Sequence, residues 1–158
     1  MARHRVLVVG VGKRGKHHAT YFHANPAFEV VGLCDVNSGR AAEAAPAVGD
    51  PRTGTDPAAM AKELGPDVFC FTTPPDVRSE MVRVGVECGA RLIAFEKPVA
   101  LTSAEGRKVK ELLSGSAAKA VVSHQHRYGK HYQAVRDVIA TGRIGRVHTV
   151  YGLSLIHI

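Results

Sequence analysis

Three glycines at a fixed spacing follow the first apolar run of the chain. Gly10, Gly12 and Gly15 belong to the hexapeptide GVGKRG, directly after the β-branched run Arg5–Val9, and Asp35 comes 20 residues after the last glycine. In such a pattern the first glycine makes a tight turn, the second lets the backbone approach a pyrophosphate, and the third lets a helix pack closely. The spacing predicts a dinucleotide-binding turn. The alternative is a glycine-rich turn with a structural role only.

The acidic residue bears on which dinucleotide is bound. A carboxylate at Asp35 could accept hydrogen bonds from both adenosine ribose hydroxyls, and its charge would repel a 2′-phosphate. Arg40, five residues further on, weakens this argument because a guanidinium can accommodate that phosphate. We therefore predict NAD as the cofactor and keep NADP as the less favoured alternative.

Two polar motifs follow later apolar runs. The motif TTPP (residues 72–75) comes after Asp67–Phe71, and Glu96-Lys97-Pro98 comes after Arg91–Phe95. If both runs are parallel strands, the motifs lie at the carboxyl edge of one sheet, where ligands bind in such folds. There Lys97 could bind a substrate hydroxyl and stabilise the charge that develops on its oxygen. The alternative is an exposed loop lysine paired with Glu96.

Apolar runs typical of strands alternate with stretches of helical spacing along most of the chain. This alternation predicts crossover connections and an α/β fold, a doubly wound parallel sheet with helices on both faces. Strands are expected at 5–9, 28–34, 53–55, 67–71, 91–95, 120–123 and 146–151, and helices at 15–25, 38–45, 57–64, 76–88, 102–113 and 128–140.

Composition narrows the class of protein. The chain has 158 residues, of which 45% are hydrophobic and 22% are charged, as in an ordinary globular domain. No apolar run approaches the roughly 20 residues of a membrane-spanning helix, and the start of the chain lacks a secretory apolar segment. Cys34, Cys70 and Cys88 are odd in number and far apart, which favours buried thiols in a reducing compartment. We predict a cytoplasmic protein without a membrane partner.

The formal net charge of +7 would permit binding to nucleic acid. The basic residues are scattered, however, and aromatic residues are only 6% of the chain, so no nucleic-acid partner is predicted. The segment HQHRYGKH, residues 124–131, invites a metal-site hypothesis, but no carboxylate or cysteine lies close to its histidines. We predict a polar cluster at a helix start and no metal.

The stretch CFTTPPDVRSEMVRVGVECGARLIAFEKPVA, residues 70–100, makes the pattern more specific. With the glycine turn, His18 and Asp35, it resembles the glucose–fructose oxidoreductase and inositol dehydrogenase (Gfo/Idh/MocA) family. The resemblance implies a Rossmann domain joined to a substrate domain, and hydride transfer between NAD(P) and a sugar, a polyol or a related small molecule bearing a hydroxyl. The chain departs from the family at Arg78, where histidine is frequent.

The resemblance also assigns roles to residues. It implies Lys97 as the catalytic residue, Lys97 and Arg127 as substrate-binding residues, and Glu96 beside the nicotinamide. The cofactor-binding set that we predict comprises Gly10, Gly12, Lys13, Arg14, Gly15, Asp35, Thr72, Thr73, Pro74, Glu96 and Gln125.

The family's length predicts a division of the chain. We expect a Rossmann domain at 1–124, a linking helix and the first strand of a truncated substrate domain at 125–152, and a non-native tail at 153–158. Family members run to roughly twice this length, and their substrate domain supplies an aspartate and a histidine. We therefore expect a fragment that is incomplete for turnover, from a full-length protein that forms a homo-oligomer. The alternative function is that of a non-catalytic nucleotide-sensing or partner-binding Rossmann protein.

Overall fold

Six parallel strands form one sheet in the computed structural model, which describes residues 2–151. The strand order is β3-β2-β1-β4-β5-β6, and every neighbouring pair is parallel. The strands are β1 (His4–Val9), β2 (Phe28–Cys34), β3 (Arg52–Gly54), β4 (Val68–Phe71), β5 (Leu92–Glu96) and β6 (Lys119–Ser123).

Helices connect the strands of this sheet and lie on both of its faces. They are α1 (Lys13–Ala24), α2 (Ser38–Ala44), α3 (Pro57–Leu64), α4 (Arg78–Glu87) and α5 (Ser103–Ser114). The chain runs outward from β1 to β3 and then returns to β4 on the other side of β1. The order therefore reverses between β1 and β4, and a crevice opens there at the carboxyl ends of the strands. The predicted doubly wound α/β fold is confirmed.

Local sequence explains where several elements begin. Strand β1 carries four consecutive apolar residues, Val6 to Val9, because both faces of a central parallel strand are covered. Helix α3 begins at a proline after Asp56, whose carboxylate accepts from the N–H groups of Ala58 and Ala59. Helix α5 begins after Thr102, whose hydroxyl accepts from the N–H of Glu105 as in a capping box.

The core divides into two clusters, one on each face of the sheet. One cluster contains Phe69, Phe71 and Phe95, and the other contains Cys70 and Ala94. Cys34 and Cys70 are both buried as predicted, and Cys88 is half-buried. Burial raises the pKa of Cys34 to about 11 and that of Cys70 to about 12, so both stay as protonated thiols.

The chain divides into two compact units after Ser123. The described part of the second unit contains a short 3-10 helix, Gln125–Tyr128, and then α6 (Lys130–Ala140). The helix predicted at 128–140 begins later because Gly129 has an extended backbone. Helix α6 carries an exposed apolar group: Tyr132, Val135, Val138 and Ile139.

The prediction of a strand at 146–151 is wrong. This interval has no strand assignment, and all ladder pairing in the described chain involves β1 to β6. A β-branched segment becomes a strand only when a neighbour pairs with its backbone, and Val150 and Tyr151 are 81% and 92% exposed. The predicted tail at 153–158 lies outside the described residues.

None of the helices described between residues 2 and 151 is both long and apolar enough to cross a membrane.

Candidate dinucleotide site

The glycine turn lies between the end of β1 and the start of α1. Gly10 has a φ of +81°, a left-handed conformation that disfavours residues with a side chain. A Cβ atom on Gly15 would collide with the carbonyl oxygen of Gly10, so helix α1 approaches the turn more closely than any side chain allows. These two glycines are required by the fold of the turn itself.

Gly12 differs from the other two glycines because packing does not require it. Its φ is −73°, and apart from its chain neighbours no atom of residues 2–151 lies within 4 Å of a Cβ built there. It is the residue before α1, and no side chain caps the first N–H groups of that helix. The open space therefore faces unpaired backbone donors at a helix N-terminus, which is the environment that binds phosphate. This arrangement fits a dinucleotide pyrophosphate.

Asp35, the residue directly after β2, is hydrogen-bonded to the glycine turn. Its carboxylate accepts hydrogen bonds from the backbone N–H of Val11 at 2.7 Å and from that of Asn37 at 2.9 Å. The residue is 5% exposed. Arg40 lies near it, with 3.9 Å between Nη1 and the Asp35 Oδ1, and its own side chain is 58% exposed. The carboxylate that we expect to bind ribose therefore also positions the glycine turn.

A cleft of about 570 Å³ opens at the carboxyl ends of β1, β2 and β4. It brings together six of the predicted site residues: Gly10, Gly12, Asp35, Thr72, Thr73 and Pro74. Arg40 also lines it, as do Val36 and Pro57. Its position matches the crevice expected where the strand order reverses.

The two threonines after β4 have different surroundings. Thr72 donates its hydroxyl to the carbonyl oxygen of Gly10 at 2.6 Å, which ties the end of β4 to the glycine turn. The hydroxyl of Thr73 is buried without a hydrogen-bond partner in the described chain. A buried hydroxyl without a partner is costly, so this atom is a candidate contact for a bound ligand.

Glu96 is the last residue of β5, and it is not among the residues that line this cleft. His18 of α1 places Nε2 at 2.9 Å from its Oε1, and Ser123 at the end of β6 is its partner in the strand ladder. Burial acts to raise the pKa of Glu96. The hydrogen bond from His18, the polar side chain of Ser123 and the charge of Arg14 outweigh burial, so the pKa of Glu96 lies below its ordinary value.

Lys97 follows directly and is exposed. The geometry does not give the alternative of a lysine paired with Glu96, because the Glu96 carboxylate contacts His18 instead. The peptide bond between Lys97 and Pro98 is cis. Within the described residues Lys97 forms no ion pair.

The comparisons with known proteins agree with this geometry. The model of the Gfo/Idh/MocA family, described as "Oxidoreductase family, NAD-binding Rossmann fold", matches residues 4–126, which is more than half of the chain. The chain belongs to this family. Its first unit is the family's NAD-binding Rossmann domain.

Two dehydrogenases show how similar the sequence of this chain is to those of its relatives. Inositol 2-dehydrogenase of Rhizobium meliloti (strain 1021) is 30% identical over 92% of this chain and 43% of that protein. D-glucoside 3-dehydrogenase of Escherichia coli (strain K12) is 26% identical over 96% of this chain and 43% of that protein. The chain thus spans less than half the length of the relatives it matches.

Solved structures show the same fold. The scyllo-inositol dehydrogenase of Lactobacillus casei, with bound NAD(H) and scyllo-inositol, superposes with a TM-score of 0.84 at 18% identity, over 91% of this chain and 43% of that one. The myo-inositol 2-dehydrogenase of Lactobacillus plantarum gives a TM-score of 0.86 at 20% identity, over 92% and 43%. Both support the Rossmann architecture.

Arg78, where the resemblance predicted histidine, is a buried charged residue. It is 2% exposed, and its guanidinium lies over the rings of Phe71 and Phe95, at 5.4 and 5.5 Å from their centroids. Its Nε and Nη1 have no hydrogen-bond partner in the described chain. Burial lowers the pKa of Arg78, and the charge of Glu96 acts in the opposite direction.

Four other predicted residues are exposed. Lys13 and Arg14 are exposed on the first turn of α1, and Gln125 and Arg127 are exposed in the 3-10 helix of the second unit. Among the described residues, no group of three or more histidine, cysteine, aspartate or glutamate side chains is placed to hold a metal ion. Sequence reasoning missed the contact of His18 with Glu96, because only the strand order shows that α1 and the end of β5 meet.

Proposed function

We propose that this chain is the cofactor-binding part of an NAD-dependent oxidoreductase that acts on a CH–OH group of a sugar, a polyol or a related small molecule. The single observation that carries the proposal is the open backbone cradle at Gly12 beside the buried carboxylate of Asp35. The names of the relatives support the substrate class, since they are inositol and glucoside dehydrogenases.

The dinucleotide is held by backbone and carboxylate groups. The N–H groups at the start of α1 bind the pyrophosphate, and the positive end of the helix dipole favours that anion. Asp35 binds the adenosine ribose hydroxyls with the lone pairs that Val11 and Asn37 leave free. Its fixed negative charge disfavours a 2′-phosphate, so NAD is preferred. Arg40 can move to offset that charge, because most of its side chain is exposed.

Lys97 acts on the substrate side. Bound NAD supplies hydride acceptance or donation at its nicotinamide. The ammonium group of Lys97 binds the substrate hydroxyl and stabilises negative charge on that oxygen, while Thr73 offers its unpaired hydroxyl to the bound ligands. Lys13, Arg14, Thr72, Pro74, Glu96 and Gln125 complete the proposed cofactor site, and Arg127 is proposed to contact substrate.

The cellular location and the assembly state of the protein are part of the same proposal. The three thiols favour a reducing compartment, and we place the protein in the cytoplasm. Turnover requires residues from the remaining length that the relatives have, and the homo-oligomer expected of the longer protein stays a prediction.

Calorimetric titration of the purified chain with NADH and then with NADPH tests the proposal. We expect NADH to bind more tightly than NADPH, and we expect Asp35→Ala to weaken NADH binding. Asp137→Ala, which removes an exposed aspartate of α6, serves as the matched control and should leave binding unchanged. Failure of a folded chain, verified by circular dichroism, to bind either dinucleotide would overturn the proposal.

A further inference from the structure

A shielded contact joins helix α1 to the strand that leads into Lys97. His18 and Glu96 are 78 residues apart in sequence, and their side chains are only 27% and 11% exposed. Every other ion pair formed by the described residues has one partner that is more than half exposed. Because solvent screens exposed pairs strongly, the His18–Glu96 contact is the one best able to hold two elements together.

Glu96 is held from two sides. His18 contacts its carboxylate from α1, and its backbone pairs with Ser123 in the ladder between β5 and β6. A side-chain hydrogen bond and a ladder pairing restrict this residue at two points, so its backbone has little freedom. Lys97 follows Glu96 directly in the chain and therefore starts from a fixed position.

Helix α1 carries a second basic residue one turn before His18. Arg14 and His18 are four residues apart, so they lie on the same face of the helix, and both favour the ionised form of Glu96. Arg14 is also on the first turn, next to the cradle at Gly12. An anion bound in that cradle would compete with Glu96 for the charge of Arg14, and His18 would then carry more of the attraction.

We propose that His18 is a positioning residue that acts through Glu96. It fixes the segment of residues 96–101 relative to the glycine turn, and it passes dinucleotide binding at the turn on to Lys97. This inference rests on the proposed function, because the event passed on is dinucleotide binding. Neither His18 nor Glu96 needs to touch the reacting atoms for this role.

Hydrogen exchange of the intact chain, followed by mass spectrometry with and without NADH, tests the role. In the wild type NADH should slow exchange of residues 96–101 as well as that of the glycine turn. In His18→Ala the free chain should exchange faster at 96–101 by about tenfold, as expected for loss of one hydrogen bond to a charged group. NADH should still protect the glycine turn in this variant but no longer protect 96–101.

Two further variants separate positioning from general stability. His17→Ala removes the neighbouring, exposed histidine of α1 and should behave as the wild type. His18→Gln keeps a side-chain N–H donor directed at Glu96 and should restore both the slow exchange and the response to NADH. A side chain needed only for packing would not be rescued in this way. If His18→Ala fails to fold, His18→Asn replaces it, because its shorter side chain does not reach Glu96, and the same changes are expected at 96–101.

The outcomes distinguish this inference from the proposed function. Equal exchange at 96–101 in His18→Ala and His17→Ala, with and without NADH, would overturn the positioning role. Lack of any NADH protection at the glycine turn of the wild type would count against the proposed function. In that case the comparison of His18→Ala with His17→Ala in the free chain still decides whether His18 fixes the segment.

Discussion

The carboxylate of Asp35 accepts a hydrogen bond of 2.7 Å from the backbone N–H of Val11, the residue between the first two glycines of the turn. The end of β2 therefore shapes the loop that follows β1. Asp35 is 5% exposed, so this bond is shielded from water and the N–H has no replacement partner if the carboxylate is lost. The acidic residue of the motif is thus structural as well as a candidate ligand contact.

This double role predicts a graded response at Asp35. Asp35→Ala leaves the buried N–H of Val11 unpaired and should lower the free energy of unfolding by about 1–3 kcal/mol. Asp35→Asn keeps one acceptor oxygen and should lose less. Urea unfolding measures both, with Asp137→Ala as the exposed control. Equal stability of Asp35→Ala and the wild type would show that the bond to Val11 contributes nothing.

The glycines of the turn should separate binding from folding. Gly12→Ala has room for its Cβ and an ordinary φ, so stability should be unchanged. Its methyl group would occupy the cradle, and NADH binding should weaken at least about tenfold, or ~1.4 kcal/mol. Calorimetry and thermal unfolding of the same sample check both parts.

Gly15→Ala should do the opposite. Its Cβ would meet the carbonyl oxygen of Gly10, so the helix must shift, and we expect a loss of about 1–3 kcal/mol in the free energy of unfolding. A variant as stable as the wild type would mean that α1 can move away from the turn without cost.

The sequence predicted the fold well because its signals are local. The predicted bounds of β2 and α3 agree with the structure to the residue, and those of α5 differ by one residue at each end. The strand expected at 146–151 was wrong because a strand depends on a neighbour, and no local pattern encodes that neighbour. The β-branched residues of such a segment do not show whether another strand pairs with it.

The candidate site was predictable only in part, for a related reason. Gly10, Gly12 and Asp35 form one short-range motif, and the cleft contains all of them. The pairing of His18 with Glu96 and the position of Arg78 over Phe71 depend on which elements cross the sheet. Those contacts join residues that are distant in sequence, and neither residue type signals its partner.

The protonation of Glu96 should make the free energy of unfolding depend on pH. Its pKa is lowered in the folded chain from an ordinary value of 4.5, so its contribution is complete above that value. The contribution is lost as pH falls through the lower, folded pKa. The difference in unfolding free energy between the wild type and Glu96→Gln should therefore be largest near neutral pH and vanish in strong acid. Urea unfolding across this pH range checks the direction of the change. Glu111→Gln, at an exposed position of α5, should show no such trend.

Arg78 gives a prediction that runs against the usual expectation for a buried charge. Its Nε and Nη1 lack partners among the described residues, the residue is 2% exposed, and its guanidinium lies over the rings of Phe71 and Phe95. Arg78→Met keeps the length of the side chain and its contact with the rings of Phe71 and Phe95, while removing the unpaired donors. We expect the free energy of unfolding to rise by about 1 kcal/mol.

Arg78→Ala separates this effect from loss of packing. It removes the same donors but leaves a cavity over the two rings, so it should lower the free energy of unfolding by about 2–3 kcal/mol. Urea unfolding of both variants decides the question. If Arg78→Met loses as much stability as Arg78→Ala, the guanidinium makes a favourable interaction that its packing on the rings does not account for. The cost of its unpaired donors would then be offset by that interaction.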